Sequence, residues 1–168
     1  AGAGAQRAER NGETIVCDLA VPNAASDLIK MALTPRGHLA LVGFNAGVAH
    51  RAKVTDLDQD YAAIDRLFEI NFHAGLKLAS AYPKQLSEAD AQGRFMATAS
   101  ETSLSIPSAI RNNRVPHNSA SKNALMAALE WLAIEQQEEA LSIHVLIPGA
   151  IYTPMISGRL KDPANLAF

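Results

Sequence analysis

His38-Leu39-Ala40-Leu41-Val42-Gly43-Phe44-Asn45-Ala46-Gly47 decides the fold: a nearly continuous apolar run of strand length leads straight into a turn-forming Asn-Ala-Gly. A strand with one wet face alternates apolar and polar side chains. Residues 38–44 do not alternate, so cover on both faces is expected, as in a parallel sheet. The same grammar recurs along the chain. Thr14-Ile15-Val16-Cys17 leads into Asp18, residues 94–99 into Ser100, and residues 143–147 into Pro148-Gly149. Helical patterns separate these runs, and strand alternating with helix predicts an α/β architecture.

The crossovers are readable one by one. Residues 22–33 put Ala25, Leu28, Met31 and Ala32 at helical spacing, with Pro35-Arg36-Gly37 as a stop. Residues 58–82 put Ile64, Leu67, Phe68, Phe72, Leu76 and Ala79 on one stripe, and Pro83 is expected to end that helix. A third helix is expected from Asn118 or Ser119, through Lys122, Leu125, Leu129 and Leu132, into the acidic run at 136–139. Residues 1–12 read as the frayed end of a helix closed by Asn11-Gly12, as though cut from something longer.

At 168 residues the chain corresponds to one domain. With 48% hydrophobic and 19% charged residues it has the composition of a globular protein, not of a disordered tail. Fifteen Lys and Arg against 17 Asp and Glu leave a net charge of −2, which lowers the expectation of nucleic-acid or anionic-lipid partners. No apolar run approaches the ~20 residues needed to cross a bilayer, and residues 1–12 lack the pattern of a signal peptide. A cytoplasmic setting is therefore expected. The single cysteine, Cys17, cannot form an internal disulfide and reads as a small buried hydrophobe; no metal site is expected.

Parallel sheets bind ligands beyond the carboxyl ends of their strands, which points to Asp18, Asn45-Ala46-Gly47, Ser100 and Pro148-Gly149. Each also has a plain reading, as a cap, a turn or a surface hydroxyl. Asn71 lies on the stripe 64, 67, 68, 71, 75 that faces the sheet. An unpaired buried carboxamide costs ~1–3 kcal/mol, so Asn71 implies either a structural partner or a water-filled site. Lys122 shares the stripe of Leu125 and Leu129 one turn into its helix, where the helix dipole disfavours a cation. Burial would lower its pKa and suit it to donate to a ligand hydroxyl or join a proton path. Alternatively, its stem lies along apolar surface and its ammonium reaches water.

In order, Asp18, Asn45-Ala46-Gly47, Asn71, Ser100, Ser119-Ala120-Ser121-Lys122 and Pro148-Gly149-Ala150-Ile151-Tyr152-Thr153-Pro154-Met155 resemble the short-chain dehydrogenase/reductase family over nearly the whole chain. Thr98-Ala99-Ser100-Glu101-Thr102-Ser103-Leu104 looks like a branch with an extended serine loop. The resemblance implies a Rossmann-type doubly wound parallel sheet, NAD or NADP as cofactor, and hydride exchange with a small carbonyl or secondary alcohol. It implies that Asp18 meets the adenine and that Asn45, Ala46 and Gly47 line the adenosine side. Asn71 would hold a relay water, Ser100 would bond the substrate oxygen, and Lys122 would contact the nicotinamide ribose. Pro148, Gly149 and Thr153 would lie at the nicotinamide end. A homodimer or homotetramer is implied by the same analogy.

Two departures stand out. The family's catalytic tyrosine belongs four residues before the lysine, where this chain has Asn118. A carboxamide does not titrate, so Asn118 can orient a carbonyl but cannot supply its proton. A natural loss of redox activity, an engineered Tyr→Asn substitution, and a changed mechanism using His117 or a water all remain open. Ser103 is a second candidate for the serine role. The Gly-rich phosphate loop is also absent before residue 14, and Ala1-Gly2-Ala3-Gly4 does not replace it. The chain is therefore expected to be a single Rossmann-type domain over 1–168, incomplete at both ends and the centre of a longer polypeptide. The rival expectation is a non-catalytic scaffold or nucleotide-sensing protein of the same fold.

Overall fold

The computed structural model describes residues 14–33, 37–108, 113–136, 140–149 and 151. Its elements run α1 (Ala24–Leu33), β1 (Leu41–Phe44), a 3-10 turn (Val54–Asp56), α2 (Leu57–Phe68), a π turn (Glu69–His73), α3 (Ala74–Glu88), β2 (Gly93–Thr98), a 3-10 turn (Glu101–Ser103), α4 (Pro116–Glu135) and β3 (Leu141–Leu146). The three strands form one parallel sheet in the order β1-β2-β3. Leu41 pairs with Arg94 and Phe44 with Ala97, while Gly93 pairs with Leu141 and Thr98 with Leu146. β1 and β2 are each followed by helix and then by the neighbouring strand, the α/β crossover expected from the sequence.

The core lies where Phe44, Phe95, Ala97 and Leu141 of the sheet meet Leu78, Ala79, Tyr82 and Leu86 of α3 and Leu125, Leu129 and Leu132 of α4. Gly75 permits that approach, because a Cβ there would stand 2.6 Å from Phe44 Cε1. A side chain at Gly93 would overlap the buried Tyr82, whose hydroxyl donates to the Leu39 carbonyl. Burial pushes the Tyr82 phenol pKa up.

Several expectations need correction. Along β2 the burial alternates, with Phe95 and Ala97 covered and Arg94 exposed, and β3 exposes Ser142 and His144. Among the described residues, then, one face of the sheet carries the cover, where cover on both was expected. Residues 14–17 form no strand: no described strand lies beside them to complete a hydrogen-bond ladder, and Val16 is 97% exposed. In α1 the buried face is Ala25 and Ile29, whereas Met31 is exposed, so the stripe is rotated from the one expected.

Pro83 sits inside α3 and does not end it. An interior proline costs a helix roughly 3 kcal/mol, but Tyr82 and Leu86 flank it, both buried, and their packing carries the helix onward. The helix ends instead in a reverse turn. Asp90 takes a φ of 47°, its N–H donates to the Ser87 carbonyl, and the Ala91 N–H donates to the Leu86 carbonyl. Helix α4 starts at Pro116, two residues before Asn118, since the fixed φ of proline suits a first helical position.

Candidate active site

The carboxyl ends of the three strands open on one rim. There the Thr98 hydroxyl donates to Asn45 Oδ1 at 2.8 Å and ties β1 to β2. Ala46 and Gly47 follow, and the chain continues over Asn71. The π turn carries Asn71 inward, fully buried. Such wide turns are frequent at functional sites.

Asn71 is the hub of the polar cluster. Its Oδ1 accepts from the Val48 N–H at 2.8 Å, and its Nδ2 donates to the Val48 carbonyl at 2.9 Å. The same Nδ2 reaches Asn118 Oδ1 at 3.1 Å and Ser121 Oγ at 3.2 Å. The carboxamide that the sequence left between a structural partner and a water site thus has protein partners on both its atoms. Asn118 in turn spends its carbonyl oxygen on Asn71, and its Nδ2 has no bond within the described residues.

Lys122 enters this cluster from α4. It is 7% exposed, and its Nζ donates to the Thr98 carbonyl at 2.8 Å and stands 5.7 Å from the centre of the Phe44 ring. No carboxylate pairs with it among the described residues, and burial pulls its pKa down. An ammonium has three hydrogens, so two remain for a ligand. A Cβ added at Gly47 would stand 3.5 Å from both Asn71 Oδ1 and Lys122 Nζ. The backbone at Gly47 therefore passes close beside both groups.

Ser100 caps the short turn that follows β2: its Oγ accepts from the Thr102 N–H at 3.3 Å and from the Thr102 hydroxyl at 3.0 Å. Both contacts use the serine as acceptor, so its own hydrogen is free to donate outward. The Pro148 carbonyl accepts from the Glu101 N–H at 3.0 Å, which joins the loop after β3 to this turn. Gly149 lies against the Glu101 carboxylate, and Thr153 lies outside the described residues.

Other candidates point elsewhere. His117 Nε2 lies 3.4 Å from the Lys53 carbonyl, and its ring makes no hydrogen bond to Asn71 or Lys122. Ser103 is buried, its hydroxyl has no partner among the described residues, and its carbonyl accepts from Asn123. Asp18 is exposed and belongs to a turn. The Ala20 N–H, with Arg66 in support, lowers the pKa of its carboxyl.

Sequence reasoning missed Val48, Ser121 and Glu101 as members of the cluster and its rim. Ser121 was findable, since 118, 121, 125 and 129 make one helical stripe. Val48 takes part through its backbone, which leaves no mark in the sequence. Glu101 follows Ser100 directly, and only the contact between two loops reveals its place.

Comparison with known proteins adds the lineage. The family model described as short chain dehydrogenase matches residues 3–164. Versicolorin reductase stcU from Emericella nidulans is 30% identical over 142 residues, which is 84% of this chain and 50% of that protein. The cyclic-di-GMP-binding biofilm dispersal mediator protein of Escherichia coli is 30% identical over 159 residues, 94% of this chain and 59% of the relative. Among solved structures, BdcA in complex with NADPH superposes with a TM-score of 0.69 at 27% identity, covering 84% of this chain and 52% of that one. The chain spans about half the length of the curated relatives it matches. A parallel α/β sheet of the Rossmann kind is therefore shared with proteins of one lineage: this chain belongs to the short-chain dehydrogenase family.

Proposed function

We propose that the protein binds NAD or NADP and moves hydride between that cofactor and a small carbonyl or secondary alcohol. The observation that carries this reading is the buried Lys122 ammonium beside Gly47. A buried cation without a carboxylate is costly unless something uses it. Its two spare hydrogens, beside a glycine backbone that adds no side chain, suit the hydroxyls of a ribose. When bound, the cofactor supplies or accepts the hydride. In this reading Asp18 contacts the adenine, Asn45, Ala46 and Gly47 line the adenosine side, and Pro148, Gly149 and Thr153 form the nicotinamide end. The free hydrogen of Ser100 polarises the substrate oxygen. Asn71 holds the loop at Val48 in place, so that the floor is rigid before a ligand arrives.

Asn118 donates an N–H to the substrate oxygen but exchanges no proton, so the proton that accompanies the hydride comes from or goes to solvent water and turnover is slow. Support for the cofactor comes from relatives solved with NADPH or a nicotinamide derivative. A homodimer or homotetramer in the cytoplasm fits the exposed Tyr61 of α2 and Trp131 of α4. No described helix is long and apolar enough to cross a membrane.

The test is a titration of the full chain with NADH and NADPH, followed by turnover of the Asn118→Tyr variant. Saturable binding, with turnover raised by the phenol, supports a disabled enzyme. Absence of binding by either cofactor defeats the proposal. A second reading, a non-catalytic nucleotide-sensing member, is favoured by Asn118 and by the E. coli relative named for binding cyclic-di-GMP. Binding without turnover, in the native and the Tyr variant alike, selects it.

A further inference from the structure

We infer that Glu101 selects the oxidation state of the bound cofactor: its carboxylate favours the oxidised, cationic nicotinamide over the reduced, neutral ring. This rests on the reading of Pro148 and Gly149 as the nicotinamide end.

Glu101 is pinned at that end by its backbone. Its N–H donates to the Pro148 carbonyl at 3.0 Å, and its own carbonyl accepts from the N–H groups of Leu104 and Ser105 at 3.0 and 3.2 Å. The side chain lies along the neighbouring loop, since a Cβ added at Gly149 would stand 3.3 Å from Glu101 Oε2. Glycine at 149 thus leaves the carboxylate room to rest on the backbone. The residue is half-buried, and no Lys, Arg or His forms an ion pair with it among the described residues.

An unpaired negative charge on a residue whose backbone is pinned beside a redox-active ring has a direct electrostatic consequence. Oxidised nicotinamide carries a positive charge on its ring and reduced nicotinamide carries none, whereas the phosphates are the same in both. The ratio of the two affinities therefore isolates the field at the ring. In a partly covered site such an attraction is enough to shift that ratio about tenfold after allowance for solvent. Lys122 is a cation of the same rim and opposes the effect. The informative quantity is therefore the change in the ratio when Glu101 is neutralised.

The experiment is calorimetric titration of the full chain with the oxidised and the reduced form of whichever cofactor binds. It compares the native protein with Glu101→Gln, Glu101→Asp and a distant control, Glu130→Gln on α4. The expected result is that preference for the oxidised form falls about tenfold in Glu101→Gln, is largely kept in Glu101→Asp and is unchanged in Glu130→Gln. If the Gln variant does not fold, salt decides. The native preference should shrink as ionic strength rises from about 0.05 to about 0.5 M, and a flat response overturns the inference. Binding of both forms with the same ratio in native and Gln proteins overturns the role of Glu101 alone. Binding of neither form overturns the cofactor reading and this inference with it.

Discussion

Replacing Asn71 with Leu should be among the most damaging single changes in the polar cluster. The carboxamide is fully buried and takes part in four contacts of 2.8 to 3.2 Å with Val48, Asn118 and Ser121. Its Nδ2 has two hydrogens shared among three acceptors, so about three full bonds are lost. At about 1 kcal/mol net each, that is about 3 kcal/mol, and stranding the Val48 N–H and carbonyl adds roughly 1 more. Asn118→Ala removes only one acceptor from the same hub and should cost about 1 kcal/mol. Urea unfolding of the full chain resolves the difference. At a slope of about 1–3 kcal/mol/M, the Leu variant loses more than 1 M in midpoint and the Ala variant less. Hydrogen exchange at the Val48 amide should quicken in the Leu variant, because its acceptor is gone. If Asn71→Leu costs no more than Asn118→Ala, or the Val48 amide stays protected, Asn71 is not the hub.

Three further outcomes are expected. Burial lowers the Lys122 pKa below its ordinary 10.5, so the unfolded chain binds the extra proton between the two values and stability rises with pH across that window. Urea midpoints of native protein minus Lys122→Met should show this rise, and a flat difference contradicts it. Above pH 10 the raised Tyr82 pKa acts oppositely: its contribution is full below the unfolded value of 10.0 and is lost as pH climbs through the folded one, a loss that Tyr82→Phe should remove from the urea midpoint profile. Gly75→Ala should destabilise by about 1–3 kcal/mol in thermal melts despite the better helix propensity of alanine, because its Cβ would lie 2.6 Å from Phe44 Cε1. A neutral or stabilising result would mean that the ring yields without cost.

Elements whose signal is local were legible in the sequence. The helices around Ile64, Leu67, Leu125 and Leu129 follow from spacing alone, and so does the inward stripe that holds Asn71 and Lys122. What escaped depends on partners remote in sequence. Residues 14–17 have strand composition, but a strand exists only beside another, and no described neighbour pairs with them. Pro83 has the local chemistry of a terminator, yet the burial of Tyr82 and Leu86 overrides it. In the polar cluster, residue type flagged Asn71, but its main partner is the backbone of Val48, which any residue could supply. The link from Glu101 to Pro148 joins two loops that no periodicity connects.

A crystal structure of the full chain with NADPH tests the central claim most directly. A ribose hydroxyl within hydrogen-bond reach of Lys122 Nζ, with the dinucleotide passing over Gly47, is the predicted result. Cofactor held elsewhere, with the Lys122 ammonium still bonded only to the Thr98 carbonyl, would contradict it.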